Sequence, residues 1–288
     1  MRITFLTITC LLLITGLTIA QKNSEKEILE KTFKVRGEMT LQLRVDGGEV
    51  ELLRNEDNDC TVYIEHNKEK CRADVNFDEK NNELEIYIDH DNWSMGKSGD
   101  ANQSNYAKVQ VKLPHRPDLS INAVIKAGKL DFKLGDLHLE NLEVKSWAGE
   151  ARIDFDKPNR CDLKTLDVDF KVGEVKLLNL GNARFSEANI NSNIGEMTLD
   201  FNGENTERAM ARIDLEIGKT MIIVPDNIGV KARVSKFLFL SNVQYPNWFE
   251  QDGSYYYSRN YKNAKKSLYL IVSTGIGELN LRVDRKSN

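Results

Sequence analysis

The chain has 288 residues, with 40 Lys and Arg facing 44 Asp and Glu for a formal charge of −4. Charges of both signs alternate along the apolar runs instead of gathering into blocks, which excludes a nucleic-acid footprint, since that needs a concentrated basic face. Beyond the first few residues no stretch approaches about eighteen consecutive apolar side chains, so no later membrane-spanning helix is expected.

Residues 1–20 read as a secretory signal peptide. Arg2 supplies the positive start, Ile3 to Leu17 the apolar core, and Thr18-Ile19-Ala20 a small-residue cleavage site before Gln21. Cys10, with Thr9 before it, offers a lipoprotein cleavage site as an alternative. The mature chain is therefore expected outside the cytoplasm, in a periplasm, on a cell surface or free in the medium.

Residues 21–113 carry the grammar of an antiparallel β-meander. Met39 to Val45 alternates with the period of a half-buried strand, and Asp46-Gly47-Gly48 reads as a hairpin turn into Glu49 to Leu53. Cys60 to Glu65 and Cys71 to Phe77 form the next pair, joined through His66-Asn67, and Leu84 to Ile88 is a further strand. In an oxidising compartment a Cys60–Cys71 disulfide is expected, leaving Cys161 free, with three buried apolar thiols as the alternative. A C-x₁₀-C pair has no zinc spacing. The polar stretch 89–106 offers Asp89, Asp91 and Asn92 as oxygen ligands. It lacks the glycine and terminal Glu of a calcium loop, so it is read as a surface loop and no metal site is assigned.

Residues 114–288 hold a repeat. G-K-L-D-F begins at Gly128, G-E-A-R-I-D-F at Gly149, G-E-V-K-L-L at Gly173, G-E-M-T-L-D-F at Gly195 and G-K-T-M-I-I-V-P at Gly218. The spacings are 21, 24, 22 and 23 residues, and the phrase recurs at Gly48 and Gly277. Such a period with alternating apolar residues predicts an all-β fold, a β-solenoid-like stack of repeats of about 22 residues. Each unit is expected to hold two strands, with its glycine at a corner where a side chain would meet the next rung. The residue after the glycine is Glu at 49, 150, 174, 196 and 278 and Lys at 129 and 219. The two lysines interrupt any cation-binding ladder, so a solvated corner is the simpler reading. No window sustains a helical period.

After Pro225 the repeat gives way to strands over 228–240 and an aromatic segment: Tyr245, Trp248, Phe249, Tyr255, Tyr256, Tyr257 and Tyr261. Open solenoid ends need covering, which predicts a cap. The competing expectation is that Trp248 or one of Tyr255, Tyr256 and Tyr257 is exposed and binds a partner, since Tyr and Trp are favoured contacts.

Catalytic signals are sparse. Asp154 with Asp156 and Asp167 with Asp169 lie at i, i+2 and share a strand face, as general acid–base pairs must, but they alternate with apolar Phe155 and Val168 like the wet face of any such strand. The histidines at 66, 90, 115 and 138 are scattered, and G-x-S-x-G, H-E-x-x-H and phosphate-loop motifs do not occur. A polysaccharide-active β-helix enzyme using the carboxylate pairs is the alternative to a non-enzymatic binding protein without a cofactor.

The progression L-Q-L-R-V-D-G-G-E-V-E-L from Leu41, V-K-L-P from Val111 and then the repeated glycine strands resembles the toast-rack "putative adhesin" domains of bacterial exported proteins. The end, V-P-D-N-I-G-V-K-A-R-V from Val224 and N-Y-K-N-A-K-K-S-L-Y-L-I-V-S-T-G-I-G-E-L from Asn260, is similar to the C-terminal domain of the LiaF-like cell-envelope stress family. The resemblance implies a right-handed β-solenoid-like stack in the bacterial envelope and carries no catalytic residues. The expected function is a β-surface presented to a protein or glycan of the envelope, adhesin-like or associated with envelope stress, with no nucleic-acid partner.

Overall fold

Period-two alternation puts every second side chain on one face, and in the long runs that face stays apolar on both sides of the glycine. The computed structural model describes residues 26–90, 107–236 and 240–285; residues 1–25, with the expected signal segment 1–20, and the polar stretch 91–106, with Asp91 and Asn92, lie outside them. The strands in chain order are β1 (Lys26–Lys34), β2 (Met39–Arg54), β3 (Asp59–Asn67), β4 (Cys71–Asp78), β5 (Glu83–His90), β6 (Ala107–Leu113), β7 (Asp118–Lys133), β8 (His138–Asp154) and β9 (Thr165–Leu178). After the single-turn helix α1 (Leu180–Ala183) come β10 (Glu187–Asp200), β11 (Arg208–Pro225), β12 (Gly229–Lys236), β13 (Ser241–Gln244), β14 (Phe249–Asp252), β15 (Tyr255–Ser258) and β16 (Ser267–Asp284). All sixteen belong to one sheet.

Its spine is the run β2, β7, β8, β9, β10, β11 and β16, every neighbour parallel. Gly48 pairs with Gly128, and the register passes from there through Gly149, Gly173, Gly195 and Gly218 to Gly277 in one line across the sheet. Each unit is one continuous strand bent at this glycine, where two separate strands were expected. Glycine permits the bend: Gly195 has φ +145°, and a Cβ there would fall on the carbonyl oxygen of Gly173. On either side of the bend the inward residues are buried, Leu166, Val168 and Phe170 before Gly173, Val175 and Leu177 after it.

The segments returning from one rung to the next bury Leu134, Leu137, Phe155, Leu163 and Phe201 against that core. They also hydrogen-bond to the following rung, Leu134 N to Asp154 O at 2.9 Å, Phe155 N to Leu178 O at 3.1 Å and Phe201 N to Ile223 O at 2.9 Å. Buried Asn159 and Asn182 complete this side. The amide of Asn159 accepts from Leu139 N at 3.0 Å and donates to Leu139 O at 2.7 Å, and Asn182 donates to Phe155 O at 2.9 Å. Side-chain amides here satisfy main-chain groups that the turns leave unpaired.

Both ends of the spine are finished in one manner. On its outer side β2 pairs its first half with β5 and its second half with β6, while β16 pairs with β12 and then β13. Short antiparallel strands follow, with β1–β3, β3–β6 and β4–β5 at one end and β12–β15 and β14–β15 at the other. Short edges of this kind limit edge-to-edge pairing.

Two expectations are corrected here. Asp46-Gly47-Gly48 is no hairpin turn, because β2 runs straight through it and bends like every other rung. Cys60 and Cys71 are buried thiols, not a disulfide. Cys60 sits near the start of β3 and Cys71 opens β4 just past the turn that closes β3. Strand geometry spreads the residues from 60 to 67 over about 23 Å, whereas a disulfide needs Cα atoms roughly 4.4–6.8 Å apart.

Candidate binding face

The aromatic segment divides by strand alternation. In β15 the side chains of Tyr256 and Ser258 turn inward while Tyr255 and Tyr257 turn outward. Tyr256 is fully buried, with the ring of Tyr245 edge-on at 4.9 Å, and Phe249 of β14 is buried beside the same core. These two close the end of the stack. Trp248 is half-buried against the core with the guanidinium groups of Arg259 and Arg285 each 6.0 Å from its ring, so it lies at the boundary between cap and surface.

The outward residues form a row. Tyr255 and Tyr257 stack at 6.1 Å, and Tyr261 follows at 5.4 Å from Tyr257. Lys231 of β12 lies over this row, its ammonium 4.7 Å from the Tyr255 ring, 5.7 Å from Tyr257 and 5.3 Å from Tyr269 of β16. The rings' negative faces attract the cation and hold it in place. Beside the row, Glu250, Gln251, Asp252, Tyr257, Arg259 and Tyr261 line a concavity of about 550 Å³. Flat rings next to hydrogen-bonding carboxylates, amide and guanidinium suit a ligand with one apolar face and many polar edges.

The acidic pairs lie on the strand surface beside local partners. Asp154 accepts from Asn179 at 2.7 Å, Asp167 from Asn189 at 2.7 Å, and Asp169 from Lys171 at 3.1 Å, each held by a neighbour on its own surface. The glutamates that follow the glycines are likewise at the surface, and Glu174 pairs with Lys176 at 2.6 Å.

One set of donors that was not singled out in the sequence meets across rungs: Asp118, His138 and Cys161, whose ligand atoms all lie within 4.8 Å of one another. His138 Nδ1 stands 3.5 Å from Asp118 Oδ1. Burial first, and then the charges of Asp118 and Glu140, raise the Cys161 thiol above its ordinary value, so at neutral pH it is protonated and a metal ion would have to displace that proton. The residues are 20 and 23 positions apart, one repeat each, and only the stacking register brings them together.

The geometry defines a parallel β-stack with capped ends and an aromatic face at one of them. Residues 18–165, more than half of the chain, match the family model for the N-terminal domain of toast-rack proteins, and the chain belongs to that family. Residues 172–281 match the C-terminal domain of the cell wall-active antibiotics response protein LiaF. No curated protein sequence matches the chain. Among solved structures, it is similar to a "putative cell adhesion protein" from Clostridium sporogenes at 17% identity, covering 90% of this chain and 100% of that one with a TM-score of 0.48. It is also similar to a "putative adhesin" from Bacteroides fragilis at 12% identity, with coverages of 88% and 97% and a TM-score of 0.37.

Proposed function

We propose that this protein is a non-catalytic component of the bacterial cell envelope or surface that binds a partner through the face formed by Tyr255, Tyr257, Tyr261 and Lys231. The observation that carries the reading is the split of the aromatic segment. Tyr256 and Phe249 suffice to cap the stack, yet the alternate positions still hold large aromatic side chains turned outward beside a concavity. A surface serving only solubility needs no such row, whereas Tyr, Trp and Arg are enriched where partners bind. A stacked pair of rings with a third tilted beside it, flanked by carboxylates, favours an envelope glycan, whose sugar rings offer C–H faces to tyrosine and hydroxyl edges to Glu250 and Asp252. The match of residues 172–281 to a cell-wall-response domain is consistent with that compartment.

A glycan array together with cell-wall fragments, probed with the mature chain and with Tyr255→Ala/Tyr257→Ala, tests this. Binding by the wild type that falls at least about tenfold in the variant, with the variant still folded at the assay temperature, supports the face; a tenfold loss corresponds to about 1.4 kcal/mol. Equal binding by both proteins would move the site elsewhere, and turnover of any glycan would favour the enzyme reading.

A further inference from the structure

A second surface feature lies apart from the aromatic face, at the bend of the spine. The residue before each glycine takes the outermost position, and the register stacks Val172 on Ile194, Ile194 on Ile217 and Ile217 on Ile276. These four are 47%, 46%, 44% and 46% exposed. Leu240, which precedes the Ser241 that pairs with Gly277, continues the line at 40% exposure. Most of the large apolar side chains the protein leaves in water thus stand in one ridge, one strand spacing of about 4.8 Å apart. Isolated exposed aliphatics need no explanation, and a continuous strip on the order of 300 Å² reaches the size of the largest apolar patch on a typical monomer, which is often functional.

The ridge is flanked by charges whose signs identify the partner. On the rung of Val172, Lys171 lies on one side and Glu174 on the other. On the rung of Ile217 the order is reversed, Glu216 and then Lys219. A two-fold axis running along the ridge would place each flank of one copy against the opposite flank of the other on the same rung. Lys171 would then face Glu174, and Glu216 would face Lys219, each twice. Asn193 would face Glu196. Turning the second copy end over end about the middle of the four rungs instead sets Glu174 against Glu278 and leaves Glu196 facing Lys219, so the parallel arrangement makes more contacts between opposite charges and sets no like charges together. Lys171 and Glu174 are already bound to Asp169 and Lys176 on their own strand, but such exposed pairs are worth little and exchange readily.

We infer that the ridge is the seam of a parallel, in-register homodimer in which each of Val172, Ile194, Ile217 and Ile276 packs against the same residue of a second copy of this chain. The strip alone is smaller than the roughly 800 Å² per partner of a standard interface, so the charged flanks complete the contact and the affinity is modest, on the order of micromolar. Such a dimer presents two aromatic faces at the same end, which strengthens attachment to a repetitive ligand. The interface itself is independent of what those faces bind.

Sedimentation of the mature chain from about 1 to 100 μM should show its mass rising from monomer towards dimer. Ile194→Lys/Ile217→Lys should remain monomeric throughout with unchanged melting, since both side chains lie in water. Lys171→Glu should weaken the dimer, and adding Glu174→Lys to it should restore it. Val172→Cys in a Cys161→Ser background, oxidised with copper phenanthroline, should cross-link to itself, because an axis along the ridge brings position 172 to its own copy whereas turning one copy end over end carries it to the far end of the ridge. A wild type that stays monomeric at 100 μM, or an Ile194→Lys/Ile217→Lys variant that dimerises as the wild type does, would overturn the seam. Cross-linking of Val172→Cys only to Ile276→Cys would overturn its parallel direction.

Discussion

Gly195 shows how much of this architecture rests on single atoms. Its φ of +145° is closed to side chains, and a Cβ would occupy the position of the Gly173 carbonyl oxygen, so neither the residue nor the neighbouring backbone can yield cheaply. Gly195→Ala is expected to lower stability by about 3 kcal/mol or more, whereas Gly253→Ala, at a turn with nothing within 4 Å, meets only the milder strain of a left-handed turn. Denaturant melts of the two variants check this, and equal losses would contradict it. The thiols offer a second test. Burial pushes Cys60 up to about 12, so the reactive thiolate is scarce at pH 8. Cys161, which is only partly buried, should alkylate in the native protein while Cys60 labels only on unfolding. Mass mapping without reductant should find no bond between Cys60 and Cys71.

At the scale of elements, the inward positions on both sides of the bend behave as one core. Leu199→Asp would put an unpaired charge where the leucine is wholly buried, at a cost that exceeds the stability of most domains, and the variant is expected not to fold. A folded Leu199→Asp protein with wild-type melting would show that β10 faces the other way. The loops joining rungs carry a polar cluster in which Arg54 and Arg160 bind Asp136, with His115 Nε2 at 3.8 Å. Partial burial first, and then Arg160 and Arg54, lower the affinity of His115 for a proton below the ordinary histidine value of 6.5. The unfolded chain therefore binds that proton more readily, and the stability contributed by neutral His115 is present above about pH 6.5 and lost as pH falls through that range. Melting temperatures between pH 7.5 and 5.5 should fall less steeply in His115→Asn than in the wild type.

For the whole molecule, the repeat was legible because Gly128, Gly149, Gly173, Gly195 and Gly218 each serve a local purpose that only glycine fulfils. Which strands are parallel was less legible, since period two is the same in both arrangements and Asp46-Gly47-Gly48 suits a hairpin as well as a bend. The buried asparagines of the return segments and the meeting of Asp118, His138 and Cys161 depend on contacts between rungs, so no short window contains them. The aliphatic ridge left a trace, Val172, Ile194, Ile217 and Ile276 each preceding a repeat glycine, but an apolar residue in an alternating run reads as core until the bend turns it outward. The aromatic segment divides between cap and outward face, because alternation in β15 sends Tyr256 to the core and turns its two neighbours outward.

One paired measurement tests that division: melting and ligand binding of Tyr256→Ala beside Tyr257→Ala. Removing the buried ring of Tyr256 should cost about 3–5 kcal/mol, as large-to-small changes in a packed core do. Removing the outward, half-buried ring of Tyr257 should cost clearly less, on the order of 1 kcal/mol for its contacts with Tyr255, Tyr261 and Lys231, and abolish binding to the envelope ligand. A Tyr257→Ala protein that melts as early as Tyr256→Ala, or one that keeps its ligand, would contradict the assignment of this face as the binding surface.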